Sequence, residues 1–274
     1  MTAAVARVGQ TRRTGYGFGS AARMEWVKLR TLRAPAWITL IIVASVIGIG
    51  VAVLSYYPGH WAHMSAASKA SFDPTNEGYT GMAIAQLAIG IAGVLAMTGE
   101  YSSGSIRSTL AAIPNRRLLL TAKAVVFGAA AFAVGEFTAV AAFFINQYVV
   151  LSGPAPHATL GQPGVLRAVL LIGAYLGLIG LLGLGLGTIF RHSAGAIAAL
   201  AGVVVVLPLV LRAFPGGMAQ TANKVLPMNI AENSLAAVKP VADSLSAWTG
   251  LALLCGYVAA TLLVGGWLLA RRDA

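Results

Sequence analysis

Charge is scarce in this chain. Only 10% of its 274 residues are Asp, Glu, Lys or Arg, and the acids number eight. A soluble domain spends about a quarter of its residues on charge, so with 58% hydrophobic content the sequence excludes an ordinary soluble fold. Cysteine is nearly absent as well. The single Cys255 excludes a disulfide framework within the chain and any metal site built on cysteines. No Gly-rich loop ends in Lys-Ser or Lys-Thr, so the chain has no P-loop with which to hydrolyse ATP by itself. A GxSxG elbow and an HExxH pair are missing too. The run GLGLG at 183–187 lies deep in an apolar stretch with no strand before it, which is the wrong setting for a dinucleotide fingerprint. His60 and His63 have only Asp73 and Glu77 as companions, at unconstrained distances, so no metal site is expected.

What the chain has instead is long apolar runs. Six are long enough to cross a hydrocarbon layer of about 30 Å: 37–57, 79–98, 124–151, 165–190, 194–211 and 246–270. Their pattern is continuous rather than alternating, so they read as helices and not as barrel strands. The fold class is therefore an all-α integral membrane protein with six transmembrane helices. Residues 1–35 form a tail with a surface helix, and 36–274 form the membrane domain. An even number of crossings puts both termini on one side. That side collects Arg7, Arg12, Arg13, Arg23, Lys28, Arg30 and Arg33 before the first run, then Arg107, Arg116, Arg117, Lys123, Arg191, Arg271 and Arg272. The other side holds only Lys69, Arg167, Arg212, Lys224 and Lys239. Fourteen bases against five place both termini in the cytoplasm. The net charge of +11 is thus topological, and nucleic acid is not an expected partner. Arg12-Arg13 does not open an export signal, because the apolar run that follows begins only near residue 36 and is too long. Small-residue spacing at Gly173/Gly177 and Gly183/Gly187 marks a helix-packing seam.

Three stretches carry features that an inert bundle does not need. In RMEWVKLRTLRAPAW, residues 23–37, Trp26, Leu29 and Leu32 recur at helical spacing while Arg23, Lys28 and Arg30 point elsewhere. This suits a helix lying in the membrane surface before Pro35 turns the chain inward; the same bases also suit a plain topological anchor. In GEYSSGSIRSTLAAIPNRRLLLTAK, residues 99–123, Ile106, Leu110 and Ile113 form an apolar stripe. Glu100, Gly104, Arg107 and Ala111 occupy the other side, and Pro114 stops the helix. The stripe would fill a cleft on a partner while Glu100 and Arg107 set the register; an ordinary charged loop is the competing reading. Finally, Glu136 stands well inside the third run, with Asn146 and Gln147 further along. An unpaired acid there costs about 2.5–3.5 kcal/mol on insertion scales, so it belongs either to a pathway or to a buried hydrogen bond.

Taken together, MEWVKLRT, the 99–123 segment, GTIFRHSAGAIAAL at 187–200 and VLPMNIAEN at 225–233 resemble the type 2 permease family of ATP-binding cassette (ABC) exporters. The most specific part is Glu100-Tyr101-x-x-Gly104-Ser105-Ile106-Arg107, with Ser105 where members often have Thr. The resemblance implies an elbow helix containing Trp26, Lys28 and Arg30. It also implies a cytoplasmic coupling helix, comprising Glu100, Tyr101, Gly104, Ser105, Ile106, Arg107 and Leu110, that docks on a separate ATPase. The working unit it implies has two permease chains, identical or paralogous, and two ATPase subunits in a bacterial cytoplasmic membrane. ATP and Mg²⁺ would sit on those partners, with no cofactor on this non-catalytic chain. The other function class is a non-transporting membrane anchor or immunity protein that tethers a cytoplasmic partner. A stand-alone ion-driven transporter is disfavoured, since relays show several buried ionisable groups and this sequence offers Glu136 alone. Nothing in the sequence selects a substrate.

Overall fold

In a computed structural model the described residues are 17–151, 155–214, 216–235 and 245–272, and helix is their only regular structure. Arg7, Arg12, Arg13, Pro215, Lys239 and Pro240 lie outside them. The chain opens with α1, Phe18–Thr31, and breaks at Leu32, whose backbone is extended. α2, Arg33–Leu54, follows. The break falls three residues before Pro35, which sits in the first turn of α2, where a missing amide hydrogen breaks no bond. Then come α3, Met82–Ser102, α4, Ser105–Ala112, and α5, Arg116–Phe144. The last three are α6, Val165–Phe190, α7, Ser193–Ala201, and α8, Ala247–Arg271.

Among the described residues six stretches are long and apolar enough to cross a membrane: Arg33–His63, Met82–Ser102, Arg116–Val150, Val165–Phe190, Ser193–Arg212 and Ala247–Arg271. Two of them reach further into the 99–123 segment than the sequence suggests. α3 continues to Ser102 and α5 starts at Arg116, so only Ser103–Gly104 and Ile113–Asn115 are left outside helices. Gly104 takes φ 70°, a left-handed turn that costs a non-glycine residue roughly 1–2 kcal/mol. The Asn115 side chain caps α5 by accepting from the Leu118 amide at 3.1 Å.

α6 is the axis of the bundle. Its apolar window is 78% buried, against 22% for Ser193–Arg212 and 17% for α8, so the latter two turn most of their surface outward. The glycine seam makes this possible. A Cβ on Gly93 would fall 1.9 Å from the Gly180 carbonyl oxygen, and one on Gly183 would fall 2.0 Å from that of Gly90. The α3 and α6 backbones therefore touch, an approach open only to residues without side chains. A two-residue turn, Arg191-His192, reverses the chain into α7, with Arg191 in the left-handed region at φ 57°.

At the end of the bundle remote from the termini, short helices close the loops: Ala66–Ser71, Pro74–Gly78, Gly217–Lys224 and Pro227–Leu235. The last two occupy part of the 212–245 stretch, which the sequence leaves without an assigned structure.

Candidate functional site

The densest polar chemistry lies where α1, α3, α4 and α5 meet, at the base-rich end. α1 is amphipathic, and the residue at its buried centre is Glu25, 4% exposed, one turn after the fully buried Ala21. Lys28 follows at i+3 on the same face. The last turn of α3 contributes Glu100, and the second turn of α5 contributes Lys123, 3% exposed. Lys123 Nζ lies 2.6 Å from Glu25 Oε2 and 2.5 Å from Glu100 Oε1. Lys28 Nζ lies 3.0 Å from Glu25 Oε1 and 2.8 Å from Glu100 Oε1. Each lysine touches both acids, and the charges of the node cancel. Lys28 also donates to Thr109 Oγ1 of α4 at 3.4 Å. Burial by itself would lower the Lys28 pKa; the hydrogen bond to Glu100 and the charges of Glu25 and Glu100 together outweigh it and raise the value. One oxygen, Glu100 Oε2, is buried without a hydrogen-bond partner.

A second set of contacts latches α8 to the same end. Arg116 Nη1 donates to the carbonyls of Leu269 at 2.8 Å and Arg272 at 2.6 Å, and Arg272 Nη1 to that of Ile189 at 3.3 Å. These guanidinium groups satisfy carbonyls that helix ends leave open.

The structure redistributes the residues that the sequence groups together. Glu100 belongs to α3 and not to the helix that carries the apolar stripe, because Gly104 turns the chain between them. It faces inward to two lysines rather than outward to a partner. The stripe itself is consumed inside the chain: Ile106 and Ile113 are each 3% exposed and Leu110 is half-buried, Ile106 in the main core of the bundle and Ile113 and Leu110 in a cluster with Met24 of α1 and Leu119 of α5. An apolar face this close to two apolar neighbours is covered by them before any partner arrives. What α4 presents outward is Ser105, Arg107, Ser108, Ala111 and Ala112. Tyr101 is half-buried, with the Arg191 guanidinium 5.2 Å from its ring centroid. Of the elbow set, Trp26 and Arg30 are exposed whereas Lys28 turns inward to the acids, contrary to the outward direction expected of it.

Within the spans, Glu136 is half-buried against α6, apart from Asn146 and Gln147, which have separate duties. Asn146 Nδ2 donates to the Gly78 carbonyl at 2.8 Å. Gln147 Nε2 donates to the Pro74 carbonyl at 2.9 Å, and its Oε1 accepts from the Ala158 amide at 2.8 Å. Both amides are at most 2% exposed and tie loops to the helical segment Ile145–Val150 that continues α5. Glu25, Lys123 and Thr109 escape a reading of the sequence as site residues. The available signal was one of composition: in a chain with eight acids, Glu25 three positions before Lys28 and Lys123 at the mouth of a span each call for a partner.

Residues 22–274 match a family model described as ABC-2 family transporter protein. Among curated proteins none matches the chain.

Proposed function

The chain belongs to the ABC-2 family of transporter proteins, and from that premise we propose that it is the membrane-spanning permease subunit of an ATP-binding cassette exporter in a bacterial cytoplasmic membrane. On this reading the base-rich end and both termini face the cytosol. A separate ATPase subunit grips the outward face of α4, with Ser105, Arg107 and Ser108 as the contact and Arg107 as its charged anchor. ATP and Mg²⁺ reside on that subunit, and two permease chains work with two ATPases. α1 serves as the elbow, with Trp26 and Arg30 at the membrane surface.

The observation that carries the proposal is the build of α4. This eight-residue helix spends its apolar side on the chain's own core, shows a polar side outward, and is tied through Thr109 to a node joining α1, α3 and α5. A push on such an element cannot be absorbed locally. ATPase closure that displaces α4 drags α1, α3 and α5 with it, and packed helices tilt as rigid bodies. The coupling free energy comes from the difference in contact between α4 and the two ATPase states.

The test uses the full chain with Cys255 replaced by Ser and a thiol introduced by Ser105→Cys, co-expressed with a candidate P-loop ATPase sought among the neighbouring genes. We expect a bifunctional thiol–amine reagent to join the two chains, with a yield that changes on adding ATP. Labelling of the introduced thiol by a membrane-impermeant reagent in intact cells would overturn the topology, and absence of the crosslink would overturn the docking.

A further inference from the structure

The elbow leaves a recess behind it. α1 packs on α5 and α2 packs on α3, and beside the break at Leu32 the space among these four helices stays open as a pocket of about 150 Å³. Small residues keep it open: Ala92 and Ala96 of α3 and Ala130 and Ala131 of α5 stand in its wall. Ile42, Ile89 and Phe127 are buried at its floor, while Leu32 and Leu95 are exposed at its rim. Thr39 is the one lining residue with a polar side chain. α2, α3 and α5 all belong to stretches able to span a membrane, so what reaches the rim is hydrocarbon.

Size and lining select what can enter. A void of this volume walled by Leu, Ile and Phe stays dry and takes apolar guests. The lining runs along α2 from Ala34 to Ile42, eight residues on, which is about 12 Å at 1.5 Å per residue. One leaflet, half of a hydrocarbon layer of about 30 Å, has nearly that depth. A helix of a second chain, about 10 Å across, is too thick for the recess. A metal ion would meet one hydroxyl and no carboxylate. A single acyl chain fits in both width and depth. At the rim the polypeptide adds charge: Arg30 and Arg33 are exposed, alternate in sequence with the lining residues Leu29, Leu32 and Ala34, and among the described residues pair with no acid.

We propose that the recess is a lipid site, holding one acyl chain of an anionic phospholipid whose phosphate meets Arg33 and Arg30. The lipid comes from the leaflet at the base-rich end, and its tail braces α1 against α2 where the backbone is broken. Inside a bilayer a tail gains packing rather than escape from water, so the recess supplies the seat and the two guanidinium groups supply the preference for a negative head. The site goes beyond the permease reading and does not depend on it, because this ligand is a component of the membrane and not cargo.

The experiment is native mass spectrometry of the purified full chain in mild detergent, titrated with dioleoylphosphatidylglycerol, with dioleoylphosphatidylcholine or with oleate. The wild type should hold the phosphatidylglycerol about fivefold or more tighter than the phosphatidylcholine. Ala96→Phe, which fills the recess and leaves both bases in place, should weaken phosphatidylglycerol binding about tenfold or more. Ala133→Phe puts the same ring on an exposed position of α5 outside the recess and should leave binding unchanged. The double variant Arg30→Gln/Arg33→Gln should lose the preference for phosphatidylglycerol, and decides the matter if Ala96→Phe does not fold. Equal binding by wild type and Ala96→Phe, equal retention of the two phospholipids by the wild type, or an unchanged preference in the double variant would each overturn the proposal. Oleate held as tightly as phosphatidylglycerol would give the recess to a free fatty acid, and a dimer abolished by Ala96→Phe would give it to a second copy of the chain; either result overturns the assignment to a phospholipid.

Discussion

The two ends of the bundle are held by different chemistry. At the base-rich end the ties are ionic: Glu25, Lys28, Glu100 and Lys123 interlock, and Arg116 holds the C-terminal carbonyls of α8. At the remote end the buried ties are neutral: Asn146 to Gly78, Gln147 to Pro74 and Ala158, Tyr79 to Ala139. The ion pair found there, Arg212–Glu232, has both side chains about 40% or more exposed, in the class worth about 0–1 kcal/mol. An amide bonded to a carbonyl is directional and holds one geometry. An ammonium has three donors and no preferred plane, and here each lysine reaches two acids, so four side chains from three helices are held as one unit. The remote end thus fastens loops to helices, and the ionic end fastens helix to helix.

The largest break in this contrast is Lys123→Met. It leaves Glu25 and Glu100 buried with Lys28 as their one base, and removing one partner of a buried pair costs about 3–5 kcal/mol. We expect a steep fall in folded yield and in the thermal midpoint measured in detergent. Adding Glu25→Gln should restore part of the loss, since the second change removes a stranded charge. Strict additivity of the two losses would mean that the node is not a unit. Gln147→Leu is the counterpart at the neutral end. It strands the Pro74 carbonyl and the Ala158 amide, at about 1–3 kcal/mol for an orphaned buried group. Hydrogen exchange should quicken at Ala158 and stay unchanged in α4. If the loss of Gln147 loosens α4 as much as the loss of Lys123 does, the two ends are not independent and the contrast fails.

How much of this a reader of the sequence can see follows from the range of the interactions. The six spans are legible because each announces itself within about twenty residues, and α6 begins and ends where its apolar run does. The glycine seam is legible for the same reason, since one helix carries half of the pattern. The α4 stripe shows its period but not its destination: Ile106 and Ile113 look alike whether they meet a partner or the chain's own core. The node is the hardest to see. Lys123 finds Glu25 across 98 positions, and no local pattern encodes that meeting. A charge at a helix end looks solvated in one dimension, and only the convergence of α1, α3 and α5 buries it. Lys28 was misdirected for that reason. Its neighbours Arg23 and Arg30 do face outward, and helical spacing alone cannot tell a base that has an acid waiting from one that does not.

The smallest effect sharpens the comparison through pH. Lys28 is the member of the node nearest solvent, its side chain 31% exposed, and its pKa in the folded protein lies above the ordinary lysine value of 10.5. A raised folded value means that the charged lysine binds its surroundings more tightly in the folded chain than in the unfolded one. Its stabilisation is fully present below pH 10.5 and is lost as pH rises through the folded value. The amide ties of the remote end have no counterpart to this, because neutral amides do not titrate. Thermal midpoints of wild type and Lys28→Met, followed at low salt from about pH 8 upward, should therefore run parallel to about pH 10 and then converge. Other lysines ionise in both proteins, so the gap between the curves isolates Lys28. Added salt should narrow that gap, since a partly exposed pair is screened. A constant gap through the alkaline limb would show that Lys28 contributes only packing, and that the ionic joint consists of Lys123 with its two acids alone.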